Sequence, residues 1–369
     1  MNGKRILIVV PGEFADGGIN NYFKTLKDRF NLPIDYVYRG ARYWPFRSGF
    51  LAETKRIITD LNIYYLKLKS NKYDIVQTNT SLGWASVIRD GLYLLLAQKR
   101  KIKTIVFYRG WDINFEKALN KFGLFLFKRI FFKTEVSIVL SAKFKSTLIS
   151  WGYLKEIVVE TTLFDESLLK GIDIKNHIQQ KFSKKRDSFT ILFLARLERK
   201  KGIYEAIETF KLLKVNNKNS IKFIIAGSGK EYNNVKKTIS EQKITDIDLI
   251  GHVEGISKVN ALLNGDLYLF PTYSEGMPNS ILEALAFGLP IVTRSVGAIP
   301  EIIDSRNGFH TDSYDPRIFA NYIQSLIDDQ TIRYQIASTN VLYAKNKFYS
   351  SSVLNRIEKI YNKMLICNN

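Results

Sequence analysis

Short, continuous apolar runs recur along the chain, separated by longer stretches in which apolar residues have helical spacing. Ile6–Val10 and Leu267–Phe270 contain no charged residue, which is typical of parallel strands that are buried on both faces. Further strands are predicted at Ile34–Tyr38, Asp74–Asn79, Ile102–Tyr108, Val136–Leu140, Phe189–Ala195, Ile221–Ala226 and Ile247–Val253. This alternation of strands and helices predicts an α/β protein with parallel sheets.

The stretch Phe270–Val292 combines a strand end, a loop and a short helix. Pro271 ends the strand, and Gly288 ends the helix that follows the loop. Glu275 is therefore predicted at the carboxyl end of a strand, and Glu283 one turn into the helix. In an open parallel sheet this edge is where ligands bind, so both carboxylates are candidate site residues.

Both glutamates also have simple structural explanations. Ser280 and Glu283 match a capping box, in which Glu283 would only satisfy a free backbone N–H group. Glu275 is equally compatible with a solvated loop charge. The local pattern leaves these alternatives open.

Length and composition indicate a soluble globular protein with two domains, since the chain has 369 residues and is 46% hydrophobic. The single cysteine, Cys367, excludes an intrachain disulfide and fits a reducing compartment. Met1–Arg5 lead directly into the predicted strand Ile6–Val10, which is too short for the apolar core of a signal peptide, so no signal peptide is expected. No apolar run is long enough to span a bilayer, so a cytoplasmic location is expected.

Positive charge is concentrated in the first half of the chain. The net charge is +20; residues 1–175 carry 29 Lys/Arg and 16 Asp/Glu (+13), and residues 176–369 carry 26 and 19 (+7). A basic first half indicates an anionic partner, such as a nucleic acid, a diphosphate or lipid headgroups. Charge that serves solubility alone is the alternative.

Two segments of the first half mix basic and aromatic residues. Arg39–Arg56 suits a membrane interface, a nucleic acid or a sugar-lipid, or else a partly buried loop. Lys117–Lys133 is predicted as one strongly apolar, basic helix. That helix either belongs to the core or lies on an anionic membrane surface.

Two loops that connect a strand to a helix are candidate phosphate sites. Gly12 and Asp16–Gly18 precede a helix predicted over Ile19–Phe30, where backbone N–H groups can meet a phosphate. This loop lacks the G-x-G-x-x-G pattern, which argues against a nicotinamide-dependent oxidoreductase. Arg196–Gly202 places cations between a strand and a helix, as expected for a pyrophosphate site or, alternatively, for a surface charge run.

The motifs of the second half together resemble the E-x7-E signature of retaining glycosyltransferases of family four. The matching residues are Glu275, Gly276, Pro278, Glu283, Ala284, Gly288 and Pro290, preceded by Arg196 and Lys201. The resemblance implies the GT-B fold, with two Rossmann-like domains facing across a cleft. The expected division is an acceptor-side domain over 1–172, a nucleotide-sugar-binding domain over 189–346 and a helix at about 347–369 that crosses back to the first domain. Residues 173–188 are polar with little periodicity and are predicted as the linker.

The resemblance also implies roles for individual residues. Glu275 would face the donor sugar, and Glu283 would hold the ribose hydroxyls, because a carboxylate can accept two hydrogen bonds at once. Arg196 and Lys201 match the pair that stabilises the departing diphosphate. The other donor-side residues implied are Gly18, Gly227, Gly251, His252, Gly276, Met277 and Pro278.

The acceptor side departs from the family pattern at Phe107–Asp112, where the family often has His-Gly-x-Asp. Arg109 takes the histidine position, and none of the three histidines of the chain fits this corner. An arginine is a poor general base because it stays protonated. Arg109, with Asp112, is instead expected to hold a phosphate or an acidic acceptor.

The implied activity is transfer, with retained configuration, of a sugar from a nucleotide-diphosphate donor to a hydroxyl group. The acceptor would be a glycan or a polyprenyl-diphosphate-linked glycan in bacterial surface-polysaccharide synthesis. No cofactor and no metal are expected, because cations would stabilise the leaving diphosphate and no Asp-x-Asp motif follows a strand. With no obvious general base, the leaving phosphate would take the acceptor proton. An anionic membrane surface is an expected partner, with the protein peripheral on the inner face of the plasma membrane.

Two other classes of protein are considered. A sugar-nucleotide epimerase would share the GT-B fold, but it needs titratable groups on both sides of the sugar, and histidines are scarce. A basic nucleic-acid-binding protein would explain the charge but not the donor motifs. No nucleic-acid partner is therefore expected.

Overall fold

The computed structural model describes residues 4–12, 18–40, 50–183, 188–216 and 221–366. The chain forms two compact units: unit 1 comprises Met1–Thr162 and Ser350–Asn369, and unit 2 comprises Leu163–Tyr349. Each unit has a six-stranded sheet in which neighbouring strands are parallel. The predicted α/β class is therefore confirmed.

Unit 1 follows the predicted alternation of strands and helices. Its strands are β1 (Ile6–Pro11), β2 (Ile34–Arg39), β3 (Ile75–Leu82), β4 (Lys103–Trp111), β5 (Val136–Val139) and β6 (Glu156–Val159). Its helices are α1 (Gly18–Leu26), α2 (Phe50–Ser70), α3 (Trp84–Lys99), α4 (Ile113–Phe122), α5 (Leu124–Phe131), α6 (Ala142–Ser150) and, from the end of the chain, α15 (Ser350–Ile366). The strand order is β2-β1-β3-β4-β5-β6, so the direction of winding changes between β1 and β3.

Unit 2 repeats the plan with a different strand order. Its strands are β7 (Phe189–Leu194), β8 (Ile221–Ala226), β9 (Ile247–Gly251), β10 (Leu267–Phe270), β11 (Ile291–Arg294) and β12 (Gly308–Thr311). Its helices are α7 (Ile174–Ser183), α8 (Ile203–Asn216), α9 (Tyr232–Glu241), α10 (Gly255–Asn264), α11 (Asn279–Ala286), α12 (Ile299–Ile302), α13 (Pro316–Asp328) and α14 (Gln330–Lys347), with 3₁₀ turns η1 (Glu166–Leu169) and η2 (Arg199–Lys201). The order β12-β11-β10-β7-β8-β9 is that of a Rossmann-like sheet, and its winding changes between β7 and β10.

The continuous apolar runs become the central strands. Every residue of β7 and of β10 is buried, because helices cover both faces of the sheet. Five of the eight residues of α11 are buried, among them Ile281, Leu282 and Leu285. This helix is the apolar one that the sequence predicts after the Glu275 loop.

Helix α15 is fixed to the rest of unit 1 by polar contacts. The guanidinium of Arg356 donates to the buried carboxylate of Glu160, with its closest nitrogen–oxygen distance at 2.7 Å. Glu358 accepts from the backbone N–H of Asn31 at 2.6 Å, and the Tyr361 hydroxyl donates to Gln77 at 2.7 Å. The C-terminal helix therefore belongs to the first unit, although it follows the second in sequence.

Two segments differ from the sequence prediction. The stretch 173–188 contains α7, in which Ile174 and Ile178 are buried one turn apart, and the boundary between the units falls earlier, after Thr162. Its polar composition hid this helix, in which two of the ten residues are buried. Lys117–Lys133 is not one helix: α4 ends at Phe122, and α5 begins after Gly123.

Some predicted features lie outside the described residues. These are Asp16, Gly17, residues 41–49 of the aromatic–basic segment and Cys367. Among the described residues, no helix is both long enough and apolar enough to cross a membrane.

Candidate functional site

The candidate site of unit 2 lies where the winding of the sheet changes. The loop after β7 carries Arg196–Lys201, and the loop after β10 carries Glu275. Because β7 and β10 are neighbours and run parallel, both loops emerge at the same edge of the sheet. In open α/β sheets this switch point is the usual ligand-binding position.

Lys201 and Glu275 form a partly shielded ion pair at this edge. The Lys201 ammonium donates to Glu275 Oε1 at 2.5 Å, and the two side chains are only 14% and 10% exposed. The Thr272 hydroxyl donates to the same carboxylate oxygen at 3.1 Å. Glu275 is therefore not a solvated loop charge but a held carboxylate, and its second oxygen has capacity for a ligand hydroxyl.

A neighbouring turn holds the backbone of the Glu275 loop. The N–H of Ala298 donates to the carbonyl oxygen of Gly276 at 2.8 Å. Gly297 has a φ of +59°, and a Cβ at this position would lie 2.0 Å from the carbonyl oxygen of Glu275. Only glycine allows this approach, so Gly297 supports the position of the catalytic candidate.

Glu283 lies in α11 with a lysine partner from α10. Lys258 donates to Glu283 Oε1 at 3.0 Å, and the carboxylate is 15% exposed. Burial raises the pKa of Glu283, and the charge and hydrogen bond of Lys258 act against this rise. The site thus holds a carboxylate that protonates more readily than an ordinary glutamate.

The capping-box explanation of Glu283 is wrong. The N-cap of α11 is Pro278, which has no side-chain oxygen to accept a hydrogen bond. Ser280 is therefore already inside the helix, and its hydroxyl is hydrogen-bonded to the Tyr268 hydroxyl at 2.7 Å. Tyr268 also donates to the carbonyl oxygen of Leu194 at 2.9 Å, which ties the start of α11 to β10 and β7.

The cations after β7 differ in their environments. Arg196 is 70% exposed and forms an ion pair with Glu198 at 3.2 Å. Lys201 is the shielded one, held on Glu275. Arg196 is thus available to an anion from solvent, whereas Lys201 neutralises the carboxylate of Glu275.

Close backbone contacts shape the other side of the site. A Cβ on Gly227 would lie 1.9 Å from the carbonyl oxygen of Ala195, so the turn after β8 packs directly against the end of β7. The N–H of Gly227 donates to the carbonyl oxygen of Gly251 at 2.6 Å, which links β8 to the end of β9. His252 follows on the surface, with a 69% exposed side chain. Three successive strand ends are thereby joined at the predicted nucleotide side.

The loop residues between the two glutamates have structural positions that the sequence only partly indicates. The carbonyl oxygen of Gly276 accepts the hydrogen bond from Ala298, Met277 is buried, and Pro278 occupies the N-cap position of α11. The sequence missed Thr272, Lys258 and Gly297 as site residues. Thr272 lies within the stretch Phe270–Val292 that the sequence singles out. Nothing in the sequence connects Lys258 to Glu283, or Gly297 to the backbone of Glu275.

The acceptor-side candidates lie in unit 1. The guanidinium of Arg109 is sandwiched between Tyr22 and Phe107, with its central carbon 3.7 Å and 3.5 Å from the ring centroids. Its Nε donates to Asn79 at 3.2 Å, and both terminal nitrogens are buried and make no hydrogen bond of good geometry with the residues that the structure describes. Burial lowers the pKa of Arg109, with the nearby Tyr22 acting in the opposite direction.

Two further predicted site residues, Asp112 and Gly18, lie at the starts of helices. Asp112 is the N-cap of α4, and its carboxylate accepts from the backbone N–H groups of Asn114 and Phe115. Gly18 begins α1. Arg39, from the predicted aromatic–basic segment, is instead buried at the end of β2 and ion-paired with Asp90 at 3.3 Å.

No metal-binding cluster of three or more His, Cys, Asp or Glu residues occurs within the described ranges of the chain.

Comparison with known proteins connects this geometry to an enzyme class. The family model "Glycosyl transferases group 1" matches residues 174–341, which include both glutamates and the cations after β7. The capsular polysaccharide biosynthesis glycosyltransferase CapM of Staphylococcus aureus is 29% identical over 270 residues, covering 70% of this chain and 69% of CapM.

Solved structures with the same architecture extend over the full chain. Sucrose-phosphate synthase from Thermosynechococcus elongatus superposes with a TM-score of 0.74 at 14% identity, covering 99% of this chain and 100% of that one. HepE of Anabaena, in complex with UDP and glucose, gives a TM-score of 0.69 at 17% identity and covers 97% and 99%. The predicted GT-B fold is confirmed by these likenesses. The family match and the relative CapM support a glycosyltransferase.

Proposed function

We propose that the chain is a retaining glycosyltransferase that uses a nucleotide-diphosphate sugar as donor. The observation that carries this proposal is the shielded Lys201–Glu275 pair at the switch point of unit 2, with Arg196 exposed on the same loop as Lys201. A carboxylate and two cations at one sheet edge suit a ligand that combines sugar hydroxyls with a diphosphate. The match of this unit to the glycosyltransferase family supports the same function.

Each side chain has a specific task in the proposed reaction. Glu275 accepts hydrogen bonds from donor-sugar hydroxyls and supports positive charge that develops at the anomeric carbon. Arg196 and Lys201 neutralise the negative charge that develops on the departing diphosphate. Glu283 accepts from the ribose hydroxyls, which fixes the nucleotide and therefore the position of the breaking bond.

Retention follows in this proposal from a reaction on one face of the sugar. The bond from the anomeric carbon to the phosphate oxygen breaks, and the acceptor oxygen bonds to the same face. The acceptor proton passes to the leaving phosphate oxygen, so no protein base is required. Since the cations stabilise the diphosphate, the reaction is proposed to need no metal ion.

The acceptor is proposed to be a hydroxyl of a glycan, free or linked to polyprenyl diphosphate, in the synthesis of a bacterial surface polysaccharide. The relative CapM, which is named for capsular polysaccharide biosynthesis, supports this substrate class. On unit 1, the buried Arg109 guanidinium has two nitrogens that make no hydrogen bond of good geometry with the described residues, and they would suit a phosphate or carboxylate of the acceptor. The protein would then work peripherally at the inner face of the plasma membrane.

The test is a transfer assay with a panel of nucleotide sugars and oligosaccharide acceptors, read by NMR of the anomeric centre. The expected product keeps the anomeric configuration of the donor, and EDTA leaves the rate unchanged. An inverted product would contradict the proposed mechanism, and a strict requirement for Mg²⁺ or Mn²⁺ would contradict the role of the cations. Epimerised donor in the absence of any acceptor would assign the site to an epimerase instead.

Replacing Arg196 with alanine is expected to weaken binding of the nucleoside diphosphate by about 1.5–3 kcal/mol, the magnitude of a charge-assisted hydrogen bond. Calorimetric titration measures this loss. Arg317→Ala is the matched control, because Arg317 is also exposed and paired with a carboxylate two residues away, that of Asp315 at 2.7 Å. Equal affinities of the Arg196 variant and wild type would remove Arg196 from the diphosphate site.

A further inference from the structure

Unit 1 has an exposed apolar surface on three consecutive helices, and the donor chemistry of unit 2 does not account for it. Trp84, Ile88 and Leu92 are spaced by four residues along α3 and are all exposed, so they form one stripe. Phe125 and Leu126 of α5 are 69% and 67% exposed. Exposed apolar groups in this number and spacing mark an interaction surface rather than scattered surface residues.

Contacts between the helices make these side chains one surface. At Gly91, a Cβ would lie 3.5 Å from Phe131 and 3.8 Å from Ile130, so α3 and α5 pack closely. Leu126 precedes Ile130 by one turn and therefore lies on the side of α5 that borders α3. At the other end, the ring of Trp84 meets Phe115 of α4 edge to face at 4.8 Å. We define the α3–α5 face by its exposed apolar residues Trp84, Ile88, Leu92, Ile113, Phe125 and Leu126.

The charges around this face are almost entirely positive. Residues 84–133 contain eleven Lys/Arg and three Asp/Glu. Of the three acidic residues, Asp90 is fully buried and ion-paired with Arg39 and Arg89, and Glu116 accepts a hydrogen bond from Trp111. Asp112 caps α4. The acidic side chains are thus engaged within the protein. Of the basic ones, Arg89 is paired with Asp90 and the Arg109 guanidinium is buried, whereas Lys99, Lys117 and Arg129 are exposed.

Exposed cations lie on the same helices as the apolar residues. Arg129 is exposed and its guanidinium carbon is 5.2 Å from the ring centroid of Phe125. Lys117 on α4 and Lys99 at the end of α3 are also exposed. Apolar side chains bordered by Lys and Arg are the pattern of helices that lie in the interface of an anionic bilayer.

We propose that the α3–α5 face is a docking surface for an anionic lipid bilayer. The aromatic and aliphatic side chains enter the boundary between headgroups and acyl chains, and the cations contact the lipid phosphates. A second copy of the chain is the weaker occupant, because a two-fold interface would bring this basic surface against itself. The sequence left two alternatives for this segment, a core helix or a helix on a membrane surface. Helix α5 has features of both, since Phe127 and Phe131 are core residues while Phe125 and Leu126 are exposed.

Sedimentation with vesicles tests this proposal on the intact protein. Vesicles of phosphatidylcholine with phosphatidylglycerol are expected to bind the wild type at low salt, and pure phosphatidylcholine vesicles to bind it at least tenfold more weakly. The double variant Phe125→Ser, Leu126→Ser is expected to reduce the partition coefficient at least tenfold. Leu342→Ser, at an exposed leucine of α14 in unit 2, is the matched control and should bind as the wild type does.

A second pair of variants separates charge from apolar burial. Arg129→Gln and Lys117→Gln are each expected to lower binding about fivefold at low salt, with a smaller effect as salt rises. Stabilisation by a donor nucleotide should be the same in all these variants, which separates this surface from the donor site.

The proposal would be overturned if the wild type ignored anionic vesicles at low salt, or if the Phe125 and Leu126 double variant bound them normally. Sedimentation equilibrium tests whether the protein self-associates through this face instead. If the wild type self-associates and the double variant does not, a second copy occupies the face and the bilayer assignment fails.

Discussion

Replacing Glu275 with glutamine is expected to lower the transfer rate by at least about 10²–10³-fold, the loss typical of removing one group that stabilises a transition state. The amide keeps the size of the side chain but loses the charge that faces the donor sugar. The ammonium of Lys201, 2.5 Å away in the wild type, then lacks its counter-ion. Steady-state kinetics with the identified donor measures the effect, which should appear mainly in kcat.

The same strand supplies a matched control for this variant. Asp266, just before β10, pairs with Lys181 at 3.2 Å, and the two side chains are 10% and 12% exposed. Asp266→Asn therefore breaks an ion pair of similar burial at the opposite end of the strand. Each variant is expected to lose stability, by up to about 3–5 kcal/mol, because one charge is left without its partner. Only Glu275→Gln should lose catalysis. Near-normal turnover of that variant would show that Glu275 has no catalytic role.

Replacing Glu283 with glutamine is expected to weaken nucleotide binding on the order of 100-fold. Each hydrogen bond from a ribose hydroxyl to the ionised carboxylate contributes about 1.5–3 kcal/mol, and the neutral amide accepts less strongly. The expected loss applies to nucleoside and nucleoside diphosphate alike, since both contain the ribose. Calorimetry with the two ligands measures it. An effect confined to the diphosphate would place Glu283 at the phosphates instead.

The pH dependence of binding provides a second test of Glu283. Burial raises its pKa, so the carboxylate takes up a proton at a higher pH than an ordinary glutamate does. Protonation removes an acceptor for the ribose, and affinity should therefore fall as pH falls through this raised pKa. Lys258→Met removes the cation that opposes the rise, so the fall should begin at a still higher pH. The ratio of wild-type to Glu283→Gln affinity at each pH cancels the ionisation of the ligand itself. If this ratio did not change with pH, either with Lys258 present or in the Lys258→Met protein, the proposed role of Glu283 in ribose binding would be contradicted.

The sheets were largely predictable from the sequence because parallel strands buried on both faces are continuous apolar runs. The predicted run Leu267–Phe270 coincides with β10, and Ile221–Ala226 coincides with β8. Helix α7 was hidden because it lies in a polar stretch, where Ile174 and Ile178 are its two buried residues. The break between α4 and α5 occurs at Gly123, inside an otherwise apolar and basic segment whose composition suggested one helix.

The candidate site was predictable only where its residues belong to a local motif. Glu275, Glu283 and Arg196 stand at strand or helix ends that hydrophobic periodicity marks, so their edge of the sheet could be inferred. Contacts between segments that are distant in the sequence could not be inferred. Lys258 meets Glu283 from another helix, and Gly297 supports the Glu275 backbone from a later turn. The environment of Arg109, between two aromatic rings, depends on strand β4 and helix α1 packing together.

The most direct test of the central proposal is thermal unfolding of the wild type with UDP-, GDP- and ADP-sugars, the matching nucleoside diphosphates and the plain nucleosides. A ligand at 100 times its Kd stabilises the folded state by about 2.7 kcal/mol, which raises the unfolding temperature measurably. Ligands that share one nucleobase are expected to stabilise the wild type. Among them, the nucleoside diphosphate and its sugar derivative should raise the unfolding temperature far more than the plain nucleoside does. The double variant Arg196→Ala, Glu283→Gln should lose that response. If no nucleotide stabilises the wild type, or if the double variant responds like it, unit 2 does not contain the proposed donor site.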